Sequence, residues 1–236
     1  MWVVSDEYSS RRGDELLARI LAGDDTGTGT ELLNECWRGY PVERLSALLR
    51  SDVESAVKTG VFITSELAGR SRPLLNDVEP LLNHPDTWVR TDAIDTVNLA
   101  ATADDAEIVA RAIERITDSD RSVGDSAFTL LAAADRDMLD ASWGYLHDVN
   151  IKEALRSVLD EEATVSSAAI RARLTDDSQL VRVFGLLSAA RISDRRADDL
   201  LAAIEADDEE IQLFAFREAR RRRLVPPTKF EDRGGS

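Results

Sequence analysis

Leu82-Asn83-His84-Pro85-Asp86-Thr87-Trp88-Val89-Arg90-Thr91-Asp92-Ala93 has a second copy in this chain, Ile116-Thr117-Asp118-Ser119-Asp120-Arg121-Ser122-Val123-Gly124-Asp125-Ser126-Ala127. Leu82 falls on Ile116, Asp86 on Asp120, Val89 on Val123 and Ala93 on Ala127, each pair 34 residues apart. A fixed period of that length marks a stack of repeats. Ahead of the first copy, Pro73, Leu74, Leu75, Val78, Leu81 and Leu82 recur at threes and fours, so they predict one apolar helix stripe opened by Pro73. The run Asn83-His84-Pro85-Asp86 stops that helix, and Asp86 or Thr87 is placed to cap the next one. There Val89, Ala93, Ile94, Val97 and Ala100 make the second stripe, and the small Ala93 and Ala127 allow close helix approach. A helix–turn–helix unit of this kind cannot bury its apolar faces alone, whereas stacked copies can.

The pattern Leu-x-x-Pro-Asp-x-x-Val-Arg-x-x-Ala, Leu82 to Ala93, resembles the short bacterial and archaeal HEAT-type repeat. The resemblance implies an all-α fold, a right-handed α-α superhelix of about six or seven antiparallel helix pairs. It also implies that the turn Asp and the helix-start Arg, here Asp86 and Arg90, join a hydrogen-bonded ladder along the stack. It says little about function, because one fold serves many chemistries.

Working outward, residues 1–13 read as a flexible start, 14–224 as one repeat domain and 225–236 as a tail. Asp14 to Leu21 is an expected helix ended by Gly23, and Thr30 is the expected cap of a helix to about Tyr40. Pro41 opens another, and its partner through Ala56, Gly60, Ile63 and Leu67 is a degenerate copy offset by 33 from Ala93. After two blurred helices, Met138–His147 and Ile151–Leu159, the pattern returns. Leu174 to Arg182 and Gly185 align with Leu82 to Arg90 and Ala93 at an offset of 92, and Ile211 follows Val181 by 30.

The 236 residues carry 45 Asp and Glu against 29 Lys and Arg, a formal charge of −16, with 43% hydrophobic residues. That hydrophobic content excludes wholesale disorder, and the charge argues against duplex DNA as partner. No apolar run approaches a membrane span and no signal-peptide pattern is present, so no membrane role and a cytoplasmic location are expected. Cys36 is the single cysteine and lies on an apolar stripe, which predicts a buried thiol. His84 and His147 belong to different repeats, and no His-Glu-x-x-His or cysteine pair is present. No metal, cofactor or catalytic residue is expected. Acidic clusters such as Asp104/Asp105 fall at helix starts, where they favour the dipole. A DNA-repair enzyme of related fold would need a basic track with aromatics, but the outward side of the helix after Thr87 carries Asp92 and Asp95. The run Arg217, Arg220, Arg221, Arg222 and Arg223 reads either as cations at a helix C-terminus or as an anchor for an acidic partner or RNA.

Lining up the second helices on Val89, Val123, Val181 and Ile211 sets which side points outward. In the first two copies the outward positions are polar: Thr91, Asp92, Asp95 and Asp125, Ser126, Thr129. In the later two they become Val183, Phe184, Leu187 and Leu213, Phe214, Arg217. This predicts a hydrophobic groove on Phe184, Leu187, Val183 and Phe214, rimmed by Arg217, with Asp92 and Asp95 on an acidic face. The expected function is a non-enzymatic protein-interaction scaffold whose acidic surface meets a basic protein, in the manner of an immunity protein or antitoxin. The alternatives are an accessory subunit or lyase-like maturation factor for a cofactor-bearing protein, and an acid-adapted protein whose charge answers to its solvent.

Overall fold

The computed structural model describes residues 6–24, 27–161, 164–191, 197–204 and 208–224. Among these residues every regular element is a helix, and fourteen are α-helical. In chain order they are α1 (Asp6–Leu21), α2 (Thr28–Arg38), α3 (Ser46–Leu49), α4 (Glu54–Glu66), α5 (Leu75–Val78), α6 (Thr87–Ala100) and α7 (Ala106–Ile113). They continue as α8 (Arg121–Ala133), α9 (Arg136–Trp143), α10 (Val149–Glu161), α11 (Ser167–Leu174), α12 (Gln179–Arg191), α13 (Ala197–Ala203) and α14 (Glu209–Arg221). The span expected to be one domain divides into two units: Met1–Leu130 with Asp137–Tyr145, and Leu131–Arg136 with Leu146–Ser236. The expected tail, 225–236, lies outside the described residues, as do residues 1–5.

Three boundaries correct the sequence reading. Residues 6–13 are helical, not a frayed start. Arg12 reaches Glu31 at 2.8 Å, and the Tyr40 ring lies where a Cβ on Gly13 would stand, so polar composition misjudged a segment held by its neighbours. The helix read over Pro73–Leu82 is instead two 3-10 turns, Ala68–Leu74 and Glu79–Asn83, around the single α turn of α5. Pro80 supplies the reason, because proline has no N–H to donate and its ring crowds the carbonyl four residues back. Helix α2 starts at Thr28 without a Thr30 side-chain cap, and closes on Gly39, whose φ of 115° suits only glycine.

The repeat junctions are fixed by polar side chains. Asp86 caps α6, accepting from the Trp88 and Val89 N–H groups at 2.9 and 3.3 Å. Its carboxylate also meets Lys58 of α4 at 2.7 Å, and that ammonium holds the pKa of the Asp86 carboxyl below the usual carboxylate range. Arg90 does not bond Asp86. It donates from Nη1 to the His84 and Pro85 carbonyls of its own turn, and from Nε and Nη2 to both oxygens of Asp118 in the next turn, at 3.1 and 2.8 Å. The cap occupies Asp86, while a helical side chain leans toward its own N-terminus and so reaches across the turn. Arg182 repeats the geometry, donating to the Asp176 and Asp177 carbonyls and to Asp208 at 2.7 Å. His84 fills its expected turn role, its Nδ1 accepting from the Asp86 N–H.

In the first unit α4 packs along α6, whose Val89, Ala93, Ile94 and Val97 are fully buried. In the second, α12 packs against both α10 and α11. Gly185 sits where a Cβ would stand 2.7 Å from Arg173 Cβ, so the small residue expected from its repeat position is what permits that approach.

Candidate interaction surface

The buried stripe of α6 leaves an opposite face made by Trp88, Asp92, Asp95 and Leu99. Their spacings of four, three and four keep all four on one side at 100° per residue. Trp88 is 73% exposed and Leu99 52%, among the most exposed large apolar side chains described. Asp92 and Asp95 lie half-buried between them. On α4, 33 residues earlier, the matching positions are Ser55, Thr59, Phe62 and Glu66. Phe62 is 40% exposed and Glu66 is exposed too. Thr64 and Thr96 fix the register of the two helices through a hydroxyl contact at 3.4 Å.

Burial raises the Asp92 carboxyl to about 6, and the nearby charges of Asp95, Glu66 and Asp86 add to the rise. Burial also raises Asp95, partly offset by a hydrogen bond from Ser126 of α8. No cation lowers either group. Four other poorly exposed carboxylates each have an arginine: Asp118 has Arg90, Asp77 has Arg50, Asp199 has Arg171, and Glu218 has Arg221 and Arg222. The α6 face therefore combines accessible apolar anchors with two poorly solvated carboxylates that have no counter-charge among the described residues.

Asp92 and Asp95 share this face of the first unit, and the other expected binding residues belong to the second unit. Val183, Phe184, Leu187 and Phe214 are at most 3% exposed, so no hydrophobic groove exists there. On α12, Ala154, Ser157 and Val158 of α10 lie with Val181 and Phe184 around a cavity of about 110 Å³. Arg217 is exposed on α14 and rims no groove. Trp88, Leu99 and Phe62 were not among the expected residues, although the spacing of 88, 92, 95 and 99 opposite the core stripe marks them.

Two arginines close helix ends in the second unit, Arg222 of the run and Arg191 outside it. Arg191 donates to the Leu131 and Ala134 carbonyls at 3.0 and 2.7 Å, Arg222 donates to the Ala190 carbonyl, and Arg221 pairs with Glu218 at 2.7 Å. These bonds occupy carbonyls near the ends of α8 and α12, the role cations take at the negative end of a helix dipole. Cys36 is buried, and desolvation raises its thiol to about 11, which suppresses the thiolate. Among the described residues no group of three or more His, Cys, Asp or Glu side chains could hold a metal ion, and no helix is long and apolar enough to cross a membrane.

No family model and no curated protein matches the sequence. Two solved structures, each titled as an engineered protein of the Northeast Structural Genomics Consortium, are similar at 15% identity. The first match covers 94% of this chain and 92% of the other with a TM-score of 0.47; the second covers 94% and 95% with a TM-score of 0.44. Likeness at that level assigns neither a fold family nor a function.

Proposed function

We propose that the protein is a non-enzymatic, cytoplasmic scaffold of HEAT-like repeats, its helix pairs stacked in a right-handed α-α superhelix, and that it binds a basic partner protein through its acidic surface. The repeat reading is supported by the shared geometry of Arg90 and Arg182, each tying its own turn's carbonyls to an acid of the next turn. The observation that carries the function is the α6 face, where Asp92 and Asp95 lie without a cation between exposed Trp88 and Leu99. Exposed aromatic anchors beside charge are how hot spots are built, and a net charge of −16 steers a cationic partner toward them. Neutralising a basic toxin is one form this binding takes.

The test is affinity capture from native lysate with the wild-type chain, the Asp92→Arg/Asp95→Arg variant and Trp88→Ala. Basic proteins should be held by the wild type at low salt, released as salt screens the attraction, and lost with both variants. Capture of the same set by all three forms would overturn the proposal.

A further inference from the structure

The partner group that fits the α6 face is specified by two places where this chain satisfies its own arginines. Arg44 lies over the Tyr40 ring, 5.9 Å from its centroid, and pairs with Asp14, which also accepts from the Tyr40 hydroxyl at 2.9 Å. Arg70 lies 5.3 Å from the centroid of the Trp37 ring. An aromatic face joined to a carboxylate is thus a setting this protein already uses for guanidinium. The α6 face presents the same parts without the arginine: the Trp88 indole, Asp92 one turn on, and Asp95 three residues further.

Resting on the docking surface proposed above, we infer that this face is a socket for an arginine side chain of the partner protein, its guanidinium bridging Asp92 and Asp95 and lying on the Trp88 indole. Two features select arginine over lysine. Guanidinium is more weakly hydrated, so it enters a half-buried site at lower cost. Its plane stacks on an indole, whereas ammonium meets the ring only as a point charge. Leu99 follows the carboxylate pair by about 8 Å along the helix axis. Leu99, exposed there, offers contact to an aliphatic side chain next to the arginine in the partner.

The full chain, labelled with ¹⁵N, is titrated with N-acetyl-arginine methylamide, N-acetyl-lysine methylamide and N-acetyl-citrulline methylamide. The arginine probe should shift the Trp88 indole N–H and the Asp92 and Asp95 amides saturably, in the millimolar range expected for so small a ligand. The lysine probe should bind at least about fivefold more weakly, and the neutral citrulline probe should leave these resonances in place. Asp92→Asn/Asp95→Asn should abolish the response, while the Trp37 indole, already covered by Arg70, stays still. Equal response to arginine and lysine, no saturable shift at Trp88, or a shift that survives the double substitution would each overturn the socket. If the probes show no arginine preference while basic proteins are still lost with Asp92→Arg/Asp95→Arg, the scaffold stands and the socket fails. If the arginine response appears but capture is unchanged by the variants, the socket stands and the partner reading fails.

Discussion

Replacing Arg90 with alanine should be among the most damaging single changes at a polar position in the first unit. The side chain is 12% exposed and that of Asp118 is 7% exposed, so this is a buried pair and not a surface one. Removing the guanidinium deletes four hydrogen bonds at once: two to Asp118 and one each to the His84 and Pro85 carbonyls. The Asp118 carboxylate keeps the Asp120 N–H as a donor but loses its counter-charge. A surface ion pair would be worth about 0.2–1 kcal/mol. Breaking a buried pair by removing one partner costs roughly 3–5 kcal/mol, because the remaining charge is left uncompensated. At about 2–4 °C per kcal/mol for a chain of this size, the melting temperature should fall by roughly 6–20 °C. Arg182→Ala is the internal comparison. Its pair with Asp208 has both side chains 21% exposed, so water compensates more of the loss and a fall of about 1–3 kcal/mol is expected. Thermal and urea unfolding followed by circular dichroism measure both variants, and a double-mutant cycle of Arg90→Ala with Asp118→Ala isolates the pair. A loss below about 1 kcal/mol for Arg90→Ala, or coupling to Asp86 in place of Asp118, would refute the reasoning.

Phe184→Ala should cost about 3–5 kcal/mol of stability, as truncation of a buried aromatic does, and should leave partner capture by the folded fraction unchanged; weakened capture without loss of stability would place Phe184 on a surface after all. Gly185→Ala should destabilise the second unit, since its Cβ would meet Arg173 Cβ at 2.7 Å and backbone at 3.3 Å, and an unchanged urea midpoint would contradict that packing. Asp92→Asn should stabilise the fold at pH 7 by on the order of 1 kcal/mol once solvent screening is allowed for, read as a raised melting temperature, and should give no gain at pH 3. The sign follows from a folded carboxyl raised from 3.8 to about 6: the native state holds its proton longer than the unfolded chain, so stability is lost as pH rises through that window; a gain independent of pH would exclude this cause.

Much of the fold could be read from the apolar periodicity. Val89, Ala93, Ile94 and Val97 are the core face of α6, and Asp86 is its cap, because both depend on local spacing. Helix α5 was misread because three-and-four spacing marks apolar residues without showing whether the backbone ladder survives Pro80. The site was half legible. Asp92 and Asp95 stand out as outward acids, yet Trp88 and Leu99 lie one turn beyond the positions compared. Phe184 and Phe214 misled for a different reason. A helical wheel shows which side points away from one neighbour, but it does not show what else packs there, and both side chains are buried. Likewise the ladder position of Arg90 was visible in the repeat, whereas its partner in the next turn is a property of the stacking.

The cost at Asp92 bears on what the face is for. This chain has 29 lysines and arginines for 45 acids, and Asp77, Asp118 and Asp199 each draw on that supply. Asp92 and Asp95 are passed over: they repel one another, they are poorly solvated, and a neutral amide would fit with less strain on folding. The same ridge carries an indole and a leucine in water, which costs solubility while contributing little to the core. Features that penalise the isolated molecule in two independent ways, placed on one face four and three residues apart, have a common remedy. A cation with an apolar neighbour, brought by another chain, would restore the solvation lost by the carboxylates and cover the exposed rings in one step. Its binding free energy would then include relief of strain already stored in the free protein.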